Sequence, residues 1–306
     1  MAITAEMIKA IREKTGAGMS DCKKALTEAG DFDAAVDWLR KKGLAAAASK
    51  SSRVAADGLV GVASCGDNVA AIVEVNSETD FVAKNQKFQD FVAKVSALGA
   101  GLSGVTLETL LSSEIDGKSV KESLADLIAV IGENMVVRRV QALAVEKGVV
   151  ATYAHSTVAP GMGKIGVLVA LESPADTAVL AEFGKKLAMH IAASHPKYLT
   201  VSDVPASVVE HEKSILLEQI KDSDRPAAVL DKMVEGRIRK FYEDVVLNEQ
   251  TYIMDNKKSV STAVSDFAKE VGSPVSISAF VRFGLGDGIE KASVDFAKEV
   301  LSIAGA

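Results

Sequence analysis

The sequence predicts an α+β protein: a small helical N-terminal domain, a two-part core of repeated antiparallel-sheet-plus-helix subdomains, an inserted antiparallel helical hairpin and a C-terminal helix. Three observations predict it. Apolar residues in the first stretch recur at helical spacing between glycine and capping signals. An order of hairpin, helix and closing strand occurs twice in the remainder of the chain. Within the second copy lie two narrow apolar stripes parted by a short polar break.

The bulk numbers bound the function. A chain of 306 residues suggests two or three domains, and 48% hydrophobic with 25% charged residues is enough apolar mass for real cores. A formal charge of -6 argues against a general nucleic-acid binder, so no direct nucleic-acid contact is expected. Cys22 and Cys65 are too few for a disulfide framework and suit a reducing cytosol. Glu6, Lys9, Arg12 and Glu13 interrupt any apolar start of the signal-peptide kind, and no apolar run approaches the roughly 18 residues that span a bilayer. A soluble, cytoplasmic protein with no membrane partner is expected.

Thr4 is placed to cap a first helix marked by Ile8 and Ile11, which Gly16-Ala17-Gly18 ends. Met19, Cys22, Ala25, Leu26 and Ala29 follow at helical spacing up to Gly30. Asp31 then caps a third helix carrying Phe32, Ala35, Val36 and Leu39, with Arg40, Lys41 and Lys42 in its last turn to offset the helix dipole. This bundle resembles a ubiquitin-associated (UBA) domain, a size of domain that generally docks on partners and offers little room for a catalytic cleft. Ala45 to Arg53 reads as a linker, helical in its alanines. The first domain is expected over 1–54.

A hairpin comes next: Leu59, Val60, Val62 and Ala63, a turn at Cys65-Gly66-Asp67-Asn68, and a return from Val69 to Val75. Phe88, Phe91, Val92, Val95 and Leu98 mark a helix, with further helical patterns at Leu107–Leu111 and Val120–Ile131 and a closing strand at Met135–Leu143. This first core subdomain is expected over 55–146. The second, 147–286, repeats the order with strands at Val149–Tyr153 and Ile165–Leu171, a helix through Leu180, Phe183, Leu187 and Ile191, and a strand at Val275–Phe283. Its insertion, at about 202–248, carries Val208, Val209, Glu212, Ile215, Leu216 and Ile220, a break at Asp222–Pro226, then Leu230, Val234, Ile238, Phe241 and Val245 at spacings of four and three. Residues 287–306 are expected to form a C-terminal helical module.

Motifs with chemical associations fail on context. Gly99–Gly104 and Gly161–Gly166 both fit G-x-G-x-x-G, but the first follows a helix and the second runs into a strand, so both read as flexible turns. His155, His190, His195 and His211 do not make metal-ligand spacing with either cysteine, and no nucleophile–base pair stands out. No metal, no cofactor and no catalytic residue are expected. His190 reads as a core or interface residue, and His155, at a strand end, as one placed to meet something.

The stretch that organises the rest is Glu74–Asn85. It begins as a strand, passes through Asn76, Ser77, Thr79 and Asp80, and delivers Phe81 at the first turn of a helix. Residue chemistry leaves two placements open: Asp80 as an ordinary N-cap with Phe81 packed in the core, or Phe81 exposed on a functional corner.

Thr79–Asn85 and Thr15–Leu26, together with Ile131-Gly132-Glu133-Asn134, Arg138-Arg139 and Lys232–Arg237, resemble the bacterial elongation factor Ts family over essentially the whole chain. The resemblance implies a non-enzymatic guanine nucleotide exchange factor. It would bind GDP-loaded elongation factor Tu, displace Mg²⁺, disturb the nucleotide site and stay until GTP binds. It implies that Asp80, Phe81, Val82 and Ala83 disturb the Mg²⁺ site, Phe81 as an exposed wedge. Arg12, Met19, Lys23, Ile131, Gly132, Asn134 and His155 would be further partner contacts. The loop from Ser156 to Gly163 is longer than the family pattern. Left open by the residues are a UBA-like binding scaffold without exchange activity, a nucleotide-dependent oxidoreductase resting on the glycine patterns alone, and self-association through the helical arm.

Overall fold

Three capped helices begin the computed structural model, which describes residues 3–220 and 226–290. The expected polar break at 222–226 and the expected C-terminal module at 287–306 lie, apart from their edge residues, outside the described residues. Thr4 caps α1 (Ala5–Thr15) by accepting the Met7 N–H, and Gly16 ends it in the left-handed region. Next come α2 (Met19–Ala29) and α3 (Phe32–Lys50), the latter capped by Asp31. Ile11, Cys22, Ala25, Leu26, Ala35 and Leu39 form the core of this bundle.

α3 departs from expectation. It runs through the segment read as a linker, so Arg40, Lys41 and Lys42 lie in mid-helix and cannot serve its C-terminal dipole. The alanines at 45–48 propagate the helix. Tertiary packing holds it: Gly43 is buried against Ala129 and Arg40 pairs with Glu122, both on α7 (Val120–Ile131), while Lys42 bonds Asp21 at 2.5 Å.

The core consists of two antiparallel sheets. In the first, β1 (Asp57–Cys65) and β2 (Val69–Ser77) form the expected hairpin, and β5 (Met135–Ala144) pairs on the other side of β2. Between β2 and β5 come α4 (Asp80–Ala83), α5 (Gln86–Gly101), α6 (Leu107–Ser112), a miniature hairpin of β3 (Glu114–Ile115) and β4 (Lys118–Ser119), and α7. The second sheet has the order β6 (Gly148–His155), β8 (Ile165–Glu172), β9 (Ser276–Gly284). In each sheet the hairpin's second strand is central and the closing strand pairs beside it.

The repeat extends to fine geometry. The pairing with the closing strand shifts register between Glu74 and Val75 in β2 and between Ala170 and Leu171 in β8. One residue beyond each shift, near the start of the hairpin's first strand, a glycine sits at positive φ: Gly58 (φ +119°), paired with Asn76, and Gly148 (φ +135°), paired with Glu172. A Cβ would collide with the Val75 carbonyl oxygen at Gly58 and with that of Leu171 at Gly148, so backbone contact demands glycine at both.

Helices cover the outer face of each sheet. Phe88, Phe91, Val92 and Val95 of α5 pack on Leu59, Val73 and Val75. Phe183, Leu187 and Ile191 of α8 (Thr177–Ser194) pack on Val167, Val169 and Leu171. Val60, Ile72, Val150, Leu168, Val281 and Phe283 fill the layer between sheets. The Gly161–Gly166 segment is packed where a flexible turn was expected. A Cβ at Gly166 would meet Val60 and Ile72 at 2.6 and 2.8 Å, and β7 (Met162–Gly163) adds itself to the edge of β1. The long Ser156–Gly163 loop thereby covers a sheet edge with its own chain.

The insertion forms α9 (Ala206–Ile220) and α10 (Ala227–Val245), with Leu216 and Ile238 buried in the arm. At its base the fully buried His190 of α8 bonds Gln250 through Nε2 at 2.9 Å and accepts the Ile253 N–H at Nδ1. Gln250 in turn donates to the Asp244 carbonyl at the end of α10. Burial pushes the His190 imidazole below its usual range, and the bond to Gln250 opposes this. One helix was missed from sequence: α11 (Val260–Glu270), capped by Ser259, whose Val260, Ala263, Val264 and Phe267 pack beside Phe183. Its spacing is helical, but it is short and follows an irregular run from Thr251 to Lys258.

Candidate functional site

At the end of β2 the chain leaves a strand whose residues are buried from Ala70 to Ser77 and turns into α4, a single helical turn of four residues. That turn divides its side chains sharply. Val82 and Ala83 point into the first core and are 3% and 7% exposed, while Asp80 is exposed and Phe81 is 76% exposed. Phe88 and Phe91, further along on α5, already fill the aromatic positions of that core. Phe81 has no inward place to go. Its only close charged neighbour among the described contacts is Lys84, with Nζ 5.9 Å from the ring centroid and 3.9 Å from Asp80 Oδ2.

Asp80 is not the N-cap. Thr79 occupies that position with an extended backbone, and its side chain makes no capping bond. Instead its N–H donates to Glu133 Oε2 at 3.0 Å and its hydroxyl donates to Glu133 Oε1 at 2.7 Å. A second bond runs the opposite way: the Asn134 N–H donates to Glu78 Oε1 at 2.5 Å. The Asn134 side-chain amide donates to the Arg53 carbonyl at 2.7 Å, and the Arg53 guanidinium lies 3.5 Å from Glu78. Two consecutive residues of the corner, Glu78 and Thr79, are therefore tied to two consecutive residues after α7, Glu133 and Asn134.

This geometry sorts the residues singled out from the sequence. Asp80 and Phe81 present side chains outward, and Val82 and Ala83 anchor the same turn from below. Gly132 is exposed at the left-handed end of α7, and Ile131 is half-buried against the first core. Asn134 is 3% exposed, with its side chain engaged by Arg53, so it braces the corner and offers no surface of its own. Arg12, Met19 and Lys23 are all exposed on the bundle, Met19 and Lys23 one helical turn apart on α2. The α1–α2 loop touches the end of α7, since a Cβ at Gly16 would lie 3.3 Å from Val130 and 3.4 Å from the Lys87 amine. Bundle loop, corner and 131–134 turn are thus adjoining surfaces.

His155 is exposed at the far end of β6, where the Tyr153 hydroxyl bonds its Nδ1 at 3.0 Å. Glu78, Glu133 and Tyr153 are supporting residues that sequence reasoning did not single out. Glu133 sits inside one of the family-like motifs, but its partner lies 54 positions away and no periodicity links them. Among the described residues no group of three or more His, Cys, Asp or Glu side chains is placed to hold a metal ion, and no helix is long and apolar enough to cross a membrane. What the corner can do is mechanical: present an aromatic ring and a carboxylate on a stiff mount to another molecule.

Residues 78–287 match the family described as elongation factor TS. The chain is 55% identical over 306 residues to elongation factor Ts of Rhodospirillum centenum, covering 99% of each chain. It is 54% identical over 306 residues to elongation factor Ts of Paramagnetospirillum magneticum, covering 99% of this chain and 97% of the relative. It is 53% identical over 302 residues to elongation factor Ts of Rhodospirillum rubrum, covering 97% of each.

Proposed function

The chain belongs to the elongation factor Ts family of translation elongation factors, nucleotide exchange factors for elongation factor Tu, and from that premise we propose that it acts on the GDP-bound GTPase by inserting Phe81 beside the Mg²⁺ site. The observation that carries this reading is a phenylalanine 76% exposed on a corner braced by Glu133 and Asn134. An aromatic ring left in water at the tip of an otherwise well-buried subdomain is poised to gain by burial elsewhere.

Exchange requires that factor and nucleotide disfavour each other's binding, and the penalty is reciprocal. Burying one phenylalanine yields about 1.5–3 kcal/mol. Moving a GTPase from almost wholly closed to almost wholly open takes roughly 5.5 kcal/mol of differential affinity. Phe81 alone is too weak. The remainder comes from a wide grip: Arg12, Met19 and Lys23 on the bundle and Ile131 and Gly132 beside the corner hold the nucleotide domain, and His155 on the second sheet holds another part of the partner. Binding energy from these surfaces keeps Phe81 and Asp80 pressed against elements that phosphate and Mg²⁺ would otherwise order. GDP then leaves, and GTP with its Mg²⁺ re-forms those elements and expels the factor.

The test is a stopped-flow measurement of fluorescent-GDP release from elongation factor Tu. Acceleration that saturates with factor concentration supports the reading. Stable binding without acceleration would make the chain a docking scaffold instead.

A further inference from the structure

We propose that Glu133 is a positioning residue for nucleotide exchange: by accepting both the N–H and the hydroxyl of Thr79, it fixes the direction in which Phe81 points. The inference rests on the reading that Phe81 is the wedge.

A mount of this kind is needed. α4 has only four residues, and an isolated turn of that length does not hold itself. Phe81 gains nothing from the core, being 76% exposed. Val82 and Ala83 anchor the turn on its C-terminal side, and its N-terminal side is held at Thr79, whose carbonyl accepts from the Ser77 hydroxyl at 2.9 Å. The Glu133 carboxylate holds the same residue, two before Phe81, with Oε2 at 3.0 Å from the Thr79 nitrogen and Oε1 at 2.7 Å from its hydroxyl. Both oxygens are used, so rotation of either partner breaks a bond. The adjacent bond from the Asn134 N–H to the Glu78 carboxylate, at 2.5 Å, ties the residue after Glu133 to the residue before Thr79. Ordering a free corner at the moment of docking would consume binding energy that the wedge otherwise delivers.

The experiment measures fluorescent-GDP release from elongation factor Tu over a range of factor concentrations, with the full chain. Glu133→Ala is expected to lower the maximal release rate about tenfold with little change in the half-saturating concentration, because the distant grip is intact. Thr79→Val, which deletes one donor only, lowers it less. Glu133→Gln, which keeps an acceptor for the Thr79 N–H, recovers most of the rate. In a Phe81→Ala background, Glu133→Ala adds no further loss. In the free chain, amide hydrogen exchange over residues 79–83 speeds up in Glu133→Ala.

A wild-type maximal rate and unchanged hydrogen exchange in a folded Glu133→Ala would overturn the proposal. So would a loss fully additive with Phe81→Ala, or loss of affinity alone. If Phe81→Ala itself exchanges normally, the wedge reading fails first; a slow Phe81→Ala beside a normal Glu133→Ala sinks only the positioning role.

Discussion

Glu74 accepts a hydrogen bond from the Gly286 N–H at 2.8 Å, joining positions 212 residues apart. The carboxylate is completely buried and is also held by Arg138 Nη1 at 3.1 Å, Arg139 Nε at 2.5 Å and the Asn76 amide at 3.0 Å. Arg138 donates onward to the Asp287 carbonyl and Arg139 to that of Gly284, so β2 is bound to the exit of β9. One side chain thus ties the first sheet, on the strand that leads to the Phe81 corner, to the point where the chain leaves the second.

Removing that carboxylate strands two guanidinium groups. Glu74→Ala is expected to destabilise the fold by about 3 kcal/mol, the low end for breaking a buried ion pair, because Arg138 and Arg139 remain partly solvated. Chemical denaturation of the full chain measures it. A loss under about 0.5 kcal/mol, the ordinary range for surface changes, would show the network to be dispensable.

The doubled glycines predict a doubled sensitivity. Gly58→Ala and Gly148→Ala each drive a Cβ into a carbonyl oxygen at positive φ, and each is expected to cost about 1–3 kcal/mol of stability. Gly101→Ala, whose Cβ meets nothing, is the control and should be neutral or mildly stabilising. If all three behave alike in thermal melts, the shared strain is not real.

His190 makes the arm base sensitive to acid. Its folded-state pKa is depressed by burial below the unfolded value of about 6.5, so the unfolded chain takes up the proton first. The stability it supports is therefore complete above about pH 6.5 and declines as pH falls toward the folded-state value. His195 shifts in the same direction, chiefly by burial, so the measurement is a difference: stability from pH 7.5 to 5 for the wild type against His190→Gln. A smaller acid slope in the variant is expected. Identical slopes would remove His190 as the cause.

Much of this architecture was legible because it follows from local rules. Thr4 and Asp31 cap the helices that their positions announce, and Cys65–Val69 closes the hairpin where the turn residues fall. What was not legible depends on distant partners. Nothing local in Arg40 or Gly43 says that α3 continues to meet α7. Gly161–Gly166 reads as a loose turn until β8 is seen crossing Val60 and Ile72. At the corner, local rules nominated Asp80 as the cap, whereas Glu133, far along the chain, draws the Thr79 hydroxyl away. Whether Phe81 faced core or solvent could not follow from its own chemistry, since occupancy of the core by Phe88 and Phe91 decides it.

The proposed exchange mechanism depends on the outward-facing ring of Phe81. The decisive measurement is the rate of fluorescent-GDP release from elongation factor Tu at saturating Phe81→Ala factor, with stability followed in parallel. Because the side chain is 76% exposed, truncation should change stability by less than about 0.5 kcal/mol. The maximal release rate should fall at least about tenfold, matching the roughly 1.5–3 kcal/mol of lost burial. A folded Phe81→Ala variant that releases GDP at the wild-type rate would contradict it.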